Sequence, residues 1–174
     1  NKVYSRYPDK YNKDYKGQVV GMKDKQMALF MGIQASGKTS FYYAYFQEGY
    51  EHINLDTLHT RNKERLAIEN CIRLAKNFVI DNTNPKKADR ERYIKMAKES
   101  GYYITGYFFK SVVKECINRN EQRTGKAKVP RCAIASTSNQ LELPEYKEGF
   151  DKLYYVCLEE GEFKIEKWRE EYEV

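Results

Sequence analysis

One stretch of the sequence has residue types and a spacing that imply a specific chemistry. Residues 32–39 read Gly-Ile-Gln-Ala-Ser-Gly-Lys-Thr, which matches the pattern G-x-x-x-x-G-K-T. In such a loop, backbone N–H groups surround nucleotide phosphates, the lysine reaches the β- and γ-phosphates, and the hydroxyl binds Mg²⁺. We therefore predict ATP and Mg²⁺ as cofactors, with Lys38 on the phosphates and Thr39 on the metal. The other predicted phosphate-binding residues in the loop are Gly32, Ala35, Ser36, Gly37 and Ser40.

Strand-like and helix-like segments alternate around this loop. The apolar run 26–31 precedes it with the length of a buried strand, and 40–46 can continue it as a helix. Further strands are predicted at 52–56, 78–81, 102–109 and 153–158, and further helices at 62–76, 86–100 and 112–120. This alternation predicts right-handed βαβ units. We therefore expect an α/β fold of the P-loop NTPase type. Its three layers would be α/β/α, with a mostly parallel five-stranded sheet in the middle.

Two aspartates end predicted strands next to the loop. Parallel strands end at one edge of a sheet, so Asp56 and Asp81 should meet Lys38 there. Phosphoryl transfer needs neutralised charge and an acceptor held in line. Asp56 suits the orientation and deprotonation of an acceptor hydroxyl, although a helix N-cap is an alternative role. Asp81 suits Mg²⁺ binding, and the polar run 82–84 suits an acceptor or a phosphate, although turn formation and helix capping explain the same residues.

A pair of arginines lies four residues apart on one predicted helical face. Arg119 and Arg123 are followed by the breaker-containing segment 124–130. A basic helix end joined to a flexible segment is typical of a lid that closes over ATP and places guanidinium groups on the phosphates. We predict such a helical lid at about 119–131, with both arginines binding the nucleotide. A solvated helix face fits the same spacing.

Charge is distributed unevenly along the 174 residues, whose net charge is +6. Residues 1–25 hold seven basic and three acidic side chains, whereas the chain from Leu141 onward holds eleven acidic and five basic ones. We predict a basic, tyrosine-rich extension at 1–25, a kinase domain at 26–160 and an acidic tail at 161–174. Positive charge near a phosphate-binding loop favours an anionic partner such as a polynucleotide. An ordinary solvated surface is the alternative.

The remaining composition excludes several classes of protein. The four cysteines form no C-x-x-C pair and stand apart from the two histidines, so neither a zinc site nor a disulfide-linked partner is expected. No apolar run approaches the length of a membrane span, and no signal peptide is visible. We therefore expect a cytoplasmic protein that has no membrane partner.

Residues from about 28 to 156 resemble the kinase domain of polynucleotide 5′-hydroxyl kinases, especially the repair-type enzymes that pair it with a 3′-phosphatase. Residues 54–58, Asn-Leu-Asp-Thr-Leu, are similar to the catalytic-aspartate motif of that family. The other similar segments are Ile-Asp-Asn-Thr-Asn-Pro at 80–85 with Asp-Arg-Glu-Arg-Tyr at 89–93, the lid arginines, and Leu-Pro-Glu at 143–145 with Glu-Gly-Phe at 148–150.

The resemblance implies a role for each matching residue. Asp56 would be the general base toward the 5′-hydroxyl, while Lys38 and Arg123 would stabilise the transferring phosphate. Arg119 would support the lid. The residues expected near the acceptor and the metal are Asn82, Thr83 and Asn84.

The sequence departs from the family pattern at two positions near Asp56. Leu55 stands where the family has arginine before its catalytic aspartate, and His59 stands where phage-type members have an arginine that contacts the substrate strand. This implies weaker binding of nucleic acid, or that Arg61 and the N-terminal extension make these contacts instead. The D-x-D-G-T signature of the phosphatase partner is absent from the sequence, so 3′-dephosphorylation is not predicted.

The sequence therefore predicts ATP-dependent phosphoryl transfer to a hydroxyl, with the 5′-hydroxyl of RNA or DNA as the favoured acceptor. A kinase of a small molecule or nucleotide would share every catalytic residue named above. An ATP-dependent binding or regulatory module is the third hypothesis.

Overall fold

The computed structural model describes residues 25–172, so the predicted N-terminal extension lies outside the described residues apart from Lys25. The six strands of its sheet run in the order β2-β3-β1-β4-β5-β6. β1 pairs in parallel with both β3 and β4, which places the strand before the loop at the centre. The strands are β1 Gln26–Met31, β2 Glu51–Ile53, β3 Phe78–Asp81, β4 Tyr103–Phe109, β5 Lys152–Glu159 and β6 Glu162–Lys167.

Helices cover both faces of this sheet. They are α1 Lys38–Tyr45, α2 Leu55–Leu58, α3 Arg61–Arg73, α4 Lys87–Glu99, α5 Val113–Glu121 and α6 Arg131–Gln140, with 3₁₀ turns at Gly125–Ala127 and Tyr146–Glu148. Successive side chains of a strand point to opposite faces. Leu29 of β1 therefore packs in the core that includes α3 and α4, whereas Phe30 packs with α1. The predicted three-layer α/β/α fold is confirmed.

The α1 side of the sheet has an aromatic core. The rings of Phe30 and Phe41 lie 5.5 Å apart, and Phe30 makes edge contacts with Tyr107 and Phe109 at 5.7 and 5.2 Å. These side chains are fully buried. Burial of several rings around α1 fixes the helix that follows the phosphate-binding loop.

The sheet has one more strand than the sequence predicted. β6 pairs antiparallel with β5 through a two-residue turn at Glu160 and Gly161, whose φ angles of 50° and 76° suit a tight hairpin. Only Phe163 and Ile165 of β6 pack on the core, and charged residues alternate with them. The segment 161–174, expected as an acidic tail, includes this edge strand.

A buried arginine connects the segment after β3 to the segment before β5. Arg90 of α4 is 0% exposed, and its Nη1 donates to both carboxylate oxygens of Glu148 at 3.2 and 3.1 Å. Its other nitrogens donate to the carbonyls of Asn84, Pro85 and Glu142. The backbone that leads away from β3 is therefore held in place by one guanidinium group.

No helix within residues 25–172 has the length and apolar character needed to cross a bilayer.

The substitution Arg90→Met should lower the free energy of unfolding by about 3–5 kcal/mol, because it removes the cationic partner of the largely buried Glu148 carboxylate and a donor from the carbonyls of Asn84 and Glu142. Lys95→Met, on the exposed side of the same helix, is the control and should change stability by about 0.5 kcal/mol or less. Urea denaturation of both variants measures the difference. Equal stabilities would contradict the role given to Arg90.

Candidate functional site

The phosphate-binding loop lies between β1 and α1 at the carboxyl edge of the sheet. Gly37 has a φ of 103°, which L side chains rarely adopt. A Cβ at Gly32 would lie 2.9 Å from the Ser36 hydroxyl and 3.0 Å from Cβ of Phe109. Both glycines are therefore required by the turn and by close packing, as the motif predicts.

Lys38 folds back into this loop. It is 8% exposed, and its Nζ donates to the carbonyl oxygens of Gly32 at 2.9 Å and Ile33 at 2.8 Å. Burial lowers the pKa of Lys38 to about 8, and the negative charge of Asp81 only partly opposes this shift. The amine is therefore held by two backbone oxygens in a buried position that disfavours its charged form.

Several polar groups contact one carboxylate oxygen of Asp81, which lies at the end of β3. Its Oδ2 accepts from Thr39 Oγ1 at 2.8 Å and from Asn54 Nδ2 at 3.3 Å, and it lies 2.7 Å from Nε2 of His52. Burial by itself would raise the pKa of Asp81, but the contact with His52 and the charge of Lys38 lower it below its usual value. The carboxylate is thus held ionised beside the loop.

His52 is part of the site although the sequence did not single it out. It belongs to β2, and its ring stacks on Tyr42 with centroids 3.9 Å apart and planes 11° apart. The stack fixes the direction in which Nε2 faces Asp81. Its position two residues before Asn54 gives no motif by which the sequence could have revealed it.

Asp56 lies in the first turn of α2, and its side chain is exposed. β2 ends at Ile53, earlier than predicted, because Asn54 leaves the strand and caps the helix by accepting from the Thr57 N–H at 3.2 Å. Asn54 therefore takes the capping role that was the alternative for Asp56. Asn54 also donates to the Asp81 carbonyl at 2.9 Å and to its carboxylate, so the helix that carries Asp56 begins at the same edge as the loop, and the charge of Asp56 raises the pKa of Lys38.

The Asn-Thr-Asn run after β3 is largely occupied by contacts within the protein. Asn82 Oδ1 accepts from the Leu55 N–H at 3.0 Å, and Asn84 Nδ2 donates to the Phe30 carbonyl at 2.8 Å. The Thr83 carbonyl accepts from the N–H of Gly32 at 3.0 Å. The run thus connects the phosphate-binding loop to α2.

The two candidate nucleic-acid contacts near Asp56 differ in their surroundings. His59 follows α2 with a φ of 70° and is exposed. Arg61 begins α3, and its Nη1 donates to Glu64 at 3.1 Å and to the Tyr93 hydroxyl at 2.8 Å, while 56% of its side chain stays exposed. Arg61 therefore has part of its guanidinium held and part facing solvent.

The predicted lid is attached to the loop through Arg119. Its Nη1 donates to the Ala35 carbonyl at 2.6 Å. Beyond it, the buried side chain of Asn120 pairs with the backbone of Val129, donating to the carbonyl at 2.7 Å and accepting from the N–H at 3.0 Å. Arg123 lies within the loop that this pair closes, and its positive charge lowers the pKa of Lys38. Nη1 of Arg123 donates to the Ala127 carbonyl at 3.3 Å.

The oxygen ligands at this edge are few. Within the described part of the chain, no group of three or more His, Cys, Asp and Glu side chains could hold a metal ion. The candidate ligands are therefore the Thr39 hydroxyl and the Asp81 carboxylate, which are a type that Mg²⁺ accepts together with phosphate oxygens and water.

Comparisons with known proteins give the relatives of this fold. The chain is 32% identical over 143 residues to a protein of Acanthamoeba polyphaga mimivirus described as a putative bifunctional polynucleotide phosphatase/kinase. It is 27% identical over 153 residues to the bifunctional polynucleotide phosphatase/kinase of Schizosaccharomyces pombe. These matches cover 78% and 84% of this chain but 34% and 38% of the relatives, so the chain spans about a third of their length.

The fold is shared with solved structures as well. Chaetomium thermophilum Kti12, in complex with ADP-AlF3, has a TM-score of 0.59 at 19% identity over 75% of this chain and 88% of Kti12. The sequence model of the family described as an AAA domain matches residues 27–144, from β1 to the segment before β5. The match includes the phosphate-binding loop, Asp56, Asp81 and the lid arginines, and the chain belongs to this AAA-domain family.

Proposed function

We propose that the chain is an ATP- and Mg²⁺-dependent kinase that transfers the γ-phosphoryl group to the 5′-hydroxyl of a polynucleotide. The observation that carries this proposal is that Asp81 accepts from Thr39, next to Lys38, and from Asn54, the cap of the helix that carries Asp56. The donor phosphate and the acceptor hydroxyl can thus bind at neighbouring positions.

The donor half of the site is the loop. The N–H groups of the loop and the N-terminus of α1 suit the phosphates of ATP. Lys38 exchanges the carbonyls of Gly32 and Ile33 for phosphate oxygens. Thr39 and Asp81, whose oxygens lie 2.8 Å apart, hold Mg²⁺, which neutralises phosphate charge when bound.

The acceptor half is α2. Asp56 orients the attacking hydroxyl and accepts its proton, because its carboxylate is exposed to an incoming substrate while its charge reaches Lys38. Arg123 approaches from the lid and stabilises charge on the transferring group. Arg119 keeps the lid on the loop through the Ala35 carbonyl.

A polynucleotide acceptor is supported by charge and by the two curated relatives. Lys126, Lys128 and Arg131 add positive charge to the lid region, although Lys128 and Arg131 also pair with Glu121. Both relatives carry polynucleotide kinase in their printed descriptions. These positive charges would attract the phosphates of a nucleic-acid backbone.

The substitution Asp56→Asn should lower the rate of phosphoryl transfer to a 5′-hydroxyl oligonucleotide by about 10²–10⁴-fold, because the amide cannot accept the proton. ATP affinity should stay within about threefold, since Asp56 is proposed to act on the acceptor hydroxyl and not on the nucleotide. Labelled-ATP transfer and nucleotide titration measure the two quantities. Glu99→Gln, an exposed change on α4, is the control. Undiminished transfer by the Asn variant would show that the base has been assigned to the wrong residue.

Nucleotide binding should be coupled to proton uptake above pH 8. The pKa of Lys38 is about 8 in the free protein, so its amine is mostly neutral at about pH 9. Phosphates favour the charged form and raise this pKa, so each bound ATP should bring about one proton into the site at that pH and fewer at lower pH. Calorimetry in buffers of different ionisation enthalpy counts the protons.

Lys38→Arg is the matched control, because a guanidinium stays charged at both pH values. It should bind nucleotide with little proton uptake. Equal uptake by the two proteins would place the titrating group elsewhere.

A further inference from the structure

We infer that Glu64 is a positioning residue, which sets the orientation of the Asn82 amide and thereby holds the helix that carries Asp56. This inference rests on the proposed function for the role of Asp56. Its structural part concerns only hydrogen bonds among residues of α2, α3, α4 and the end of β3.

Glu64 is a carboxylate buried in the first turn of α3. It is 3% exposed, and three donors meet on it. Its Oε1 accepts from the Tyr93 hydroxyl at 2.8 Å and from Arg61 Nη1 at 3.1 Å, while its Oε2 accepts from Asn82 Nδ2 at 2.9 Å. A buried carboxylate of this kind costs free energy unless every contact is made.

The three donors determine which way the Asn82 amide faces. Both oxygens of a carboxylate accept hydrogen bonds, so Asn82 must present its NH₂ group to Glu64. Its carbonyl oxygen is then left to face α2, where it accepts from the Leu55 N–H at 3.0 Å. The negative charge of Glu64 therefore selects one of the two possible amide orientations.

The contact with Leu55 is important because α2 is very short. Leu55 is the first residue of a helix of only four residues, and the first N–H groups of a helix have no partner within it. Asn82 supplies that partner, and Asn54 caps the Thr57 N–H in the same turn. Asp56 lies between these two anchored positions, so its carboxylate is placed by them.

A glutamine at position 64 should break this arrangement. Arg61 can only donate, so the single oxygen of the new amide is needed on the side of Arg61 and Tyr93. Its NH₂ group then faces Asn82, which must turn its own oxygen toward position 64. The NH₂ group of Asn82 would meet the Leu55 N–H, donor against donor, and α2 would lose its anchor.

The test is a reciprocal pair of substitutions. Glu64→Gln makes the Asn82 NH₂ group and the Leu55 N–H face each other as two donors. Asn82→Asp places two carboxylates side by side. The double variant E64Q/N82D restores a consistent chain, because an aspartate at 82 can accept from both the new glutamine and Leu55. It also keeps the total charge of the pair unchanged.

The first readout is amide hydrogen exchange of Leu55 in the protein without substrate. Glu64→Gln should lower the protection of this amide by about tenfold because the Asn82 oxygen is turned away from it. Asn82→Asp should lower it to a similar extent because repulsion between two buried carboxylates displaces the side chain at 82, and the double variant should restore it. Glu69→Gln is the control, because it makes the same chemical change on α3 at an exposed pair with Arg65. Unchanged protection in Glu64→Gln, or a double variant no better than the singles, would overturn the inference.

The second readout is the transfer reaction. The kcat of Glu64→Gln should fall by about tenfold to a hundredfold with little change in the KM for ATP, since only the acceptor side is displaced. Recovery in the double variant supports a positioning role. A parallel loss of ATP binding would instead indicate general damage to the fold. A wild-type protein that transfers no phosphate to any oligonucleotide, yet shows the predicted exchange pattern, would refute the proposed function and leave the hydrogen-bond chain established.

Discussion

The carboxylate of Asp81 is the interaction on which the candidate site depends. It ends the strand next to β1, and one of its oxygens contacts the first turn of α1 through Thr39, the strand β2 through His52 and the cap of α2 through Asn54. A buried charge needs such partners, and these partners in turn become fixed relative to each other. The phosphate-binding loop and the helix with Asp56 are therefore both anchored on this carboxylate.

This arrangement separates two kinds of side chain at the same edge. Asn54, Glu64, Asn82 and Arg90 are held by contacts within the protein and keep backbone segments in place. Asp56 and Arg123 lie outside the loop, and their charges shift the pKa of Lys38 in opposite directions. The residues proposed to touch substrates thus stand on a scaffold of buried polar contacts.

Much of this site could be predicted from sequence because its signals are local. The G-x-x-x-x-G-K-T spacing places Lys38 and Thr39, and aspartates at the ends of strands point to one edge of a parallel sheet. The alternation of strands and helices likewise predicted the layers. The N-cap at Asn54 also has a local signal, since its oxygen meets an N–H three residues later, but a run of residues typical of a strand obscured it.

Other features depend on contacts between distant residues and left no local pattern. Glu64 and Asn82 are 18 residues apart, and Arg90 and Glu148 are 58 apart, so only the folded chain reveals that they meet. β6, by contrast, has the local alternation of an edge strand, and it was missed because only two of its six residues are apolar and the other four are charged. Burial of a polar side chain is decided by tertiary packing rather than by its own sequence neighbours.

The most direct measurement is transfer of labelled γ-phosphate from ATP, with Mg²⁺, to a short oligonucleotide that has a 5′-hydroxyl. The same oligonucleotide with a 5′-phosphate is the matched control, and nucleosides and sugars are compared in parallel. Our account predicts label at the 5′ end of the first oligonucleotide and none on the second. Label on a small molecule in preference to the oligonucleotide, or ATP turnover that no acceptor alters, would contradict it.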